Sequence, residues 1–283
     1  MKLNLQDVER VSSISKEEFI AKYYKPQKPV IIENLTDSWN AKNKWSFEYI
    51  AEKVGDKIVP LYDNSPVDYS KKFNEPVAKM SFKDYIKLLK KEPTDLRIFL
   101  FNILKEVPEL RDDFEFPEIG INFIKQMPML FFGGQESRVF MHYDIDYSNL
   151  MHFHFHGEKE CILFPPSETK YLYKIPYSLI SREDIDFNNP NFEKWPNLAK
   201  AKGFKVHLNH GEAVYIPEGY WHHMFYKTAG FSMTLRAYPR NIKSLSIALY
   251  NIIYMRNFDN LMRKIQGQKW LEYKNNKAIK TIV

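Results

Sequence analysis

A single cysteine, Cys161, among 283 residues leaves no partner for an intramolecular disulfide and too few thiolates for a multi-cysteine zinc site. Any metal would therefore be held by nitrogen and oxygen. Long apolar runs are lacking too, since no window approaches the roughly 18–20 apolar residues that a membrane-spanning helix needs. The opening MKLNLQDVERVSS has nothing like the apolar stretch of a secretory signal. A soluble, cytoplasmic protein that does not engage a membrane is the expectation. Internal repeats and low-complexity segments are also missing.

Apolar and aromatic side chains are plentiful. At 44% hydrophobic and 16% aromatic residues, the chain can bury a substantial core as one large domain or two small ones. The net charge of +6 is unevenly placed: Arg240 to Val283 holds nine basic residues against Asp259 and Glu272, so the rest is close to neutral. A basic tail suits an acidic partner, but a lysine-rich solvated helix face explains it more simply, and nucleic acid is not the expected ligand.

Periodicity divides the chain into three parts: a helical and stranded flank over 1–125, a β-rich core over 126–240, and basic amphipathic helices over 241–283. In the flank, SKEEFIAKYYKPQ begins at Ser15 as an N-cap, PVIIENL supplies a β-branched strand, and KWSFEYIAEKVGD and MSFKDYIKLLKKEP read as helices. From about Gln126 short aromatic and β-branched runs alternate with Gly, Pro and Asn: RVFMHYD, NLMHFHFHG, ECILFPP, FKVHLN, EAVYIP, HHMFYK and GFSMTLRAYP. That rhythm predicts a sandwich or closed barrel. Residues 167–202 break it with a long polar insertion of the kind that borders sites. After Pro239, Leu245, Ala248, Leu249 and Ile252, then Phe258, Leu261, Met262 and Ile265, predict two amphipathic helices.

The window FMHYDIDYSNLMHFHFHG concentrates four of the eight histidines. On a strand, residues two apart share a face, so His142 and Asp144 in HYD can converge on one point. Together with a second histidine from a neighbouring strand they would complete a two-histidine, one-carboxylate facial triad for Fe(II). EAVYIPEGYWHHMFY offers His222 or His223, which face opposite sides, so one of the two can join.

Several of these motifs resemble the JmjC and cupin-like family of Fe(II)/2-oxoglutarate oxygenases, in particular the branch with the asparaginyl hydroxylase that inhibits the hypoxia-inducible factor. MHYD resembles that branch's metal-binding strand, GEKECILFPPSE its next strand, IDFNNPNFEKWPN its long loop and GEAVYIPEGYWHHMF its distal-histidine strand; YYKPQKPVIIENLTDSW resembles its entry segment. The resemblance implies a double-stranded β-helix, a jelly-roll or cupin barrel, mainly β with helices at both ends. It implies Fe(II) held by His142, Asp144 and His222, with 2-oxoglutarate as cosubstrate and oxidation of a C–H bond in a protein, peptide or amino-acid side chain.

It also implies a basic anchor for the far carboxylate of 2-oxoglutarate, and Lys159 stands where this branch keeps its lysine. Two hydroxyls that relatives use there are replaced by Phe99 and Val139. Their loss would weaken binding by roughly 3–6 kcal/mol. Arg236, on the strand after the distal histidine, and His152 are the candidate compensators. His154 and His156 rank below His152, and Asp146 is expected in a turn or facing substrate. The alternatives are a cupin-type metal protein without 2-oxoglutarate oxygenase activity and an N-methyl-lysine demethylase. The related hydroxylase dimerises through its carboxy-terminal helices, so a homodimer is expected through 241–275.

Overall fold

In a computed structural model, residues 2–66, 75–99 and 101–280 are described. The strands among them, in chain order, are β1 (Asn4–Asp7), β2 (Arg10–Val11), β3 (Val30–Ile32), β4 (Ile58–Tyr62), β5 (Ala78–Ser81), β6 (Arg97–Ile98), β7 (Met129–Gly133), β8 (Arg138–His142), β9 (Asn149–His156), β10 (Lys159–Phe164), β11 (Lys202–His207), β12 (Ala213–Ile216), β13 (Trp221–Tyr226) and β14 (Gly230–Ala237). They form a small sheet in the order β1-β11-β10-β13-β8 and a large one in the order β2-β3-β12-β9-β14-β7-β6-β4-β5. The two sheets enclose a jelly-roll interior. Strands from the first 125 residues extend both sheets.

Alternation decides what faces the interior. On β14, Phe231, Met233 and Leu235 join the large apolar cluster under the amino-terminal helices, together with Met151, Phe153 and Phe155 of β9. The intervening residues turn inward, where Leu150, Cys161, Leu163, Val214, Ile216 and Met224 form an apolar floor. The helices of the flank are capped as read: Ser15, Ser46 and Ser81 each accept a backbone N–H at the third following residue.

Two register slips depart from strict alternation. His222 pairs with His142 but Met224 pairs with Val139, so β8 carries one extra residue there. This bulge lets His142 and Val139, three apart, face the same interior, and sends Met141 to the outer face. On β9 a slip opposite Phe231 and Ser232 turns His156 outward against Phe47, with ring centroids 4.5 Å apart.

The long insertion has little regular structure. Leu172, Tyr173, Ile185, Phe187, Trp195 and Leu198 pack on the outer face of the small sheet, against Ile162, Phe164 and Trp221. It also borders the histidine strand, because the Tyr143 N–H donates to the Leu179 carbonyl and the Ser181 N–H to that of Met141.

The carboxy-terminal end corrects the expected helix pair. The two predicted helices are one continuous run, Ile242–Leu249, a π-helical stretch Tyr250–Met255 and Arg256–Gln266, and a further helix spans Gln268–Lys280. The real break is Gly267, at φ +51°. Buried Asp259 accepts from Trp270 Nε1 at 2.8 Å and Lys274 Nζ at 2.6 Å, which folds the last helix back on the run.

Candidate metal centre and the polar cluster behind it

His142 ends β8 and His222 is its ladder partner on β13, so the fold itself sets the two rings side by side, with centroids 4.1 Å apart. Asp144 follows two residues later, its Oδ1 4.0 Å from His142 Nε2. His142 Nδ1 lies 2.8 Å from the Phe140 carbonyl and His222 Nδ1 3.1 Å from that of Tyr220. A carbonyl only accepts, so both rings carry their hydrogen on Nδ1 and present the Nε2 lone pair to the site.

Each of the three residues offers one ligand atom, and these atoms lie within 4.8 Å of one another. Facial ligands at ~2.1 Å from a first-row metal stand ~3 Å apart, so to hold an ion the three side chains would have to draw closer together. Burial pushes the His222 ring down to about 3 and also lowers His142, where Asp144 opposes it. Burial raises Asp144, but the Arg236 guanidinium beside it holds it well below the usual carboxylate range. Two neutral imidazoles and an ionised carboxylate are the forms that bind metal.

Asp144 Oδ2 is buried and has no hydrogen-bond geometry, although Arg236 Nη1 lies 2.9 Å away. An anionic carboxylate whose Oδ1 stands near His142 Nε2, together with the His222 imidazole, is a donor set that suits a cation such as Fe(II). Arg236 also reaches Asp144 Oδ1 through Nη2 at 3.2 Å and Asp146 Oδ1 through Nη1 at 3.1 Å. Its guanidinium thus bridges the two carboxylates of the DID turn.

Behind this centre lies a second polar group. Lys159 is 4% exposed, and its Nζ is 2.5 Å from both Ser232 Oγ and His152 Nε2. His152 Nδ1 meets Thr234 Oγ1 at 2.7 Å, and His154 Nδ1 lies 3.3 Å from Ser232 Oγ. Burial draws the Lys159 amine down to about 7, and the His152 ring well below its ordinary value with Lys159 adding to the effect.

Val139 belongs to the apolar floor, while Phe99 is 39% exposed and packs edge-on to Tyr62 at 5.6 Å. Hydroxyls stand instead on β14, as Ser232 and Thr234. Sequence reasoning overlooked both, although GFSMTLRA alternates Ser232, Thr234 and Arg236 with apolar residues. His223 faces the other way and packs on Phe187 at 5.9 Å.

The fold is that of a cupin-like domain. The profile of the cupin-like domain matches residues 15–263, and the chain belongs to that family. It is similar to tRNA wybutosine-synthesizing protein 5 of Gallus gallus, with 24% identity over 81% of this chain and 76% of that protein. Lysine-specific demethylase JMJ21 of Arabidopsis thaliana is 28% identical over 76% of this chain but only 24% of its own length. Lysine-specific demethylase 8 of Xenopus tropicalis is 26% identical over 78% of this chain and 50% of its own.

Proposed function

We propose that this protein is an Fe(II)- and 2-oxoglutarate-dependent oxygenase that hydroxylates a protein, peptide or amino-acid side chain. The observation that carries the reading is the convergence of His142, Asp144 and His222 in the same barrel interior as the buried ammonium of Lys159. Three ligands on one face leave positions for a chelating cosubstrate and dioxygen, and bound iron would supply the oxidising chemistry. His142 and His222 hold their lone pairs toward the metal through backbone hydrogen bonds. Arg236 orients Asp144, and Lys159 receives the distal carboxylate of 2-oxoglutarate.

Hydroxylation of an N-methyl group releases formaldehyde, so demethylation draws on the same chemistry. Relatives named for lysine demethylation and for wybutosine synthesis on tRNA add methyl-lysine peptides and tRNA to the substrates to be tried. The test is oxygen uptake with succinate formation by the iron-loaded protein, with and without these candidates. If 2-oxoglutarate neither binds nor turns over, the protein is instead a metal-binding cupin of another activity.

The protein also acts as a homodimer through its carboxy-terminal helices. Supporting this, Ile242, Leu249, Ile253, Leu261 and Ile265 leave an apolar surface uncovered, with Ile265 67% exposed. Light scattering at micromolar concentration should give twice the chain mass of 33.8 kDa. The double variant Leu261→Glu, Ile265→Glu should run as a monomer, and a monomeric wild type would end the dimer reading.

A further inference from the structure

Past β8 the chain reverses through Ile145 and Asp146, and the Tyr147 N–H donates to the Asp144 carbonyl at 3.0 Å to close the turn. The part of such a turn that reverses most easily is its central peptide. Flipping it converts a type I turn into type II and puts the third residue at positive φ. Here the third residue is Asp146, which takes no positive φ and whose carboxylate reaches Arg236. Asp144 reaches the same guanidinium, so the aim of both carboxylates depends on which way that peptide points.

The oxygen that a flip would swing away is the Ile145 carbonyl, and it accepts from Asn251 Nδ2 at 3.3 Å. A carbonyl only accepts, so the nitrogen of the Asn251 amide is the atom that faces it. Asn251 stands in the π-helical stretch Tyr250–Met255 and is 2% exposed. Nothing local calls for asparagine there, since it is a poor helix former and its amide is costly to bury without a hydrogen bond. The helix geometry serves the contact. The Asn251 carbonyl accepts the N–H of Arg256, five residues on, which is the π pattern. The buried residues Asn251, Met255 and Asp259 then recur at every fourth position, whereas two turns of α-helix advance only about 7.2 residues. The wider turn keeps all three on one face, so Asn251 meets the turn after β8 while Asp259 holds Trp270 and Lys274.

We infer that Asn251 is a positioning residue of the metal centre: its hydrogen bond to the Ile145 carbonyl holds the central peptide of the Asp144–Tyr147 turn and thereby the aim of Asp144. The carboxy-terminal run is thus part of the metal site without touching the ion. Whatever the contact adds to metal affinity, bound metal returns to the contact. The inference rests on the metal site of the function proposed above and adds to it a residue from outside the barrel.

Co(II) binding to the full chain tests it, because the visible absorption of Co(II) reports the arrangement of its ligands and its affinity can be read against a chelator. Asn251→Leu keeps a similar shape and removes the donor. It should weaken Co(II) binding about tenfold, the lower end of what a group supporting a ligand contributes, and alter the Co(II) spectrum. Met255→Ala loosens the same stretch without removing the hydrogen bond, and should leave Co(II) affinity close to the wild-type value. The wild type gives a second reading, since Co(II) should slow amide exchange in Tyr250–Met255 more than in the flank helix Phe47–Val54. Wild-type affinity and spectrum in Asn251→Leu, equal weakening in Met255→Ala, or no greater protection of Tyr250–Met255 in the wild type overturns this inference alone. A wild type that binds no Co(II) overturns it together with the metal reading.

Discussion

The two ends of the barrel interior handle charge in opposite ways. At the outer end, Asp144 and Asp146 share the Arg236 guanidinium, and two neutral imidazoles complete the group. At the inner end, the neighbours of Lys159 among the described residues are neutral: a histidine, a serine hydroxyl and an aromatic face. Ion pairing stabilises the first arrangement, whereas the second carries the full desolvation cost of an ammonium. A fold that keeps such a cation buried gains from it only when an anion binds. On the function proposed above, the outer end would receive the metal cation and the inner end an anion.

Removing a ligand at the outer end should have the largest effect. His222→Ala or Asp144→Ala should lower Fe(II) affinity by more than about two orders of magnitude, beyond the ~10–100-fold usual for groups that only support a ligand. Iron content after anaerobic purification measures this. An Asp144→Ala protein with full iron would mean that Asp144 serves Arg236 alone, and the comparison of the two ends would fail.

At the inner end the expected effect is smaller and opposite in sign for stability. The folded-state value of Lys159, about 7, lies below its ordinary 10.5. The unfolded chain therefore binds more protons between those pH values, and stability rises with pH through that window. Below pH 7 both states are charged and the full penalty applies. Lys159→Met should then be more stable than wild type by about 1–4 kcal/mol below pH 7, with the gain shrinking toward pH 10.5. Thermal melts across pH read it out, and 2-oxoglutarate should stabilise the wild type while leaving the variant unmoved. A variant less stable than wild type at pH 6 would show that the ammonium is compensated within the fold.

Much of this was legible in the sequence because period-two alternation is a local property. The strands around His142, Lys159, Ala213, His222 and Thr234 fall where the short apolar runs stand. What alternation cannot show is a slip between strands. The extra residue on β8 depends on its pairing with β13, and only that slip turns Val139 inward beside His142. The bridge from Arg236 to Asp146, 90 residues away, needs the barrel to close. At the carboxy terminus no Gly or Pro separates Leu249 from Phe258. The two apolar rows read there as separate helices are joined by a π-helical stretch, Tyr250–Met255.

The smallest effect is expected just behind the outer end, where His223 directly follows the proposed ligand His222. β13 alternates, so the His223 side chain leaves the interior and sits under the insertion, 2% exposed, against Phe187. Burial pushes its ring down to about 4, against the opposing pull of Asp186 and the Val139 backbone, so it is neutral near pH 7. A neutral ring held this way contributes mainly packing. His223→Leu keeps most of the volume, so stability should change by less than about 1.5 kcal/mol. Iron content should match the wild type. If His223→Leu loses its iron while His222→Leu retains it, the inward face of β13 has been assigned to the wrong histidine, and the outer end of the barrel no longer holds the metal beside Asp144.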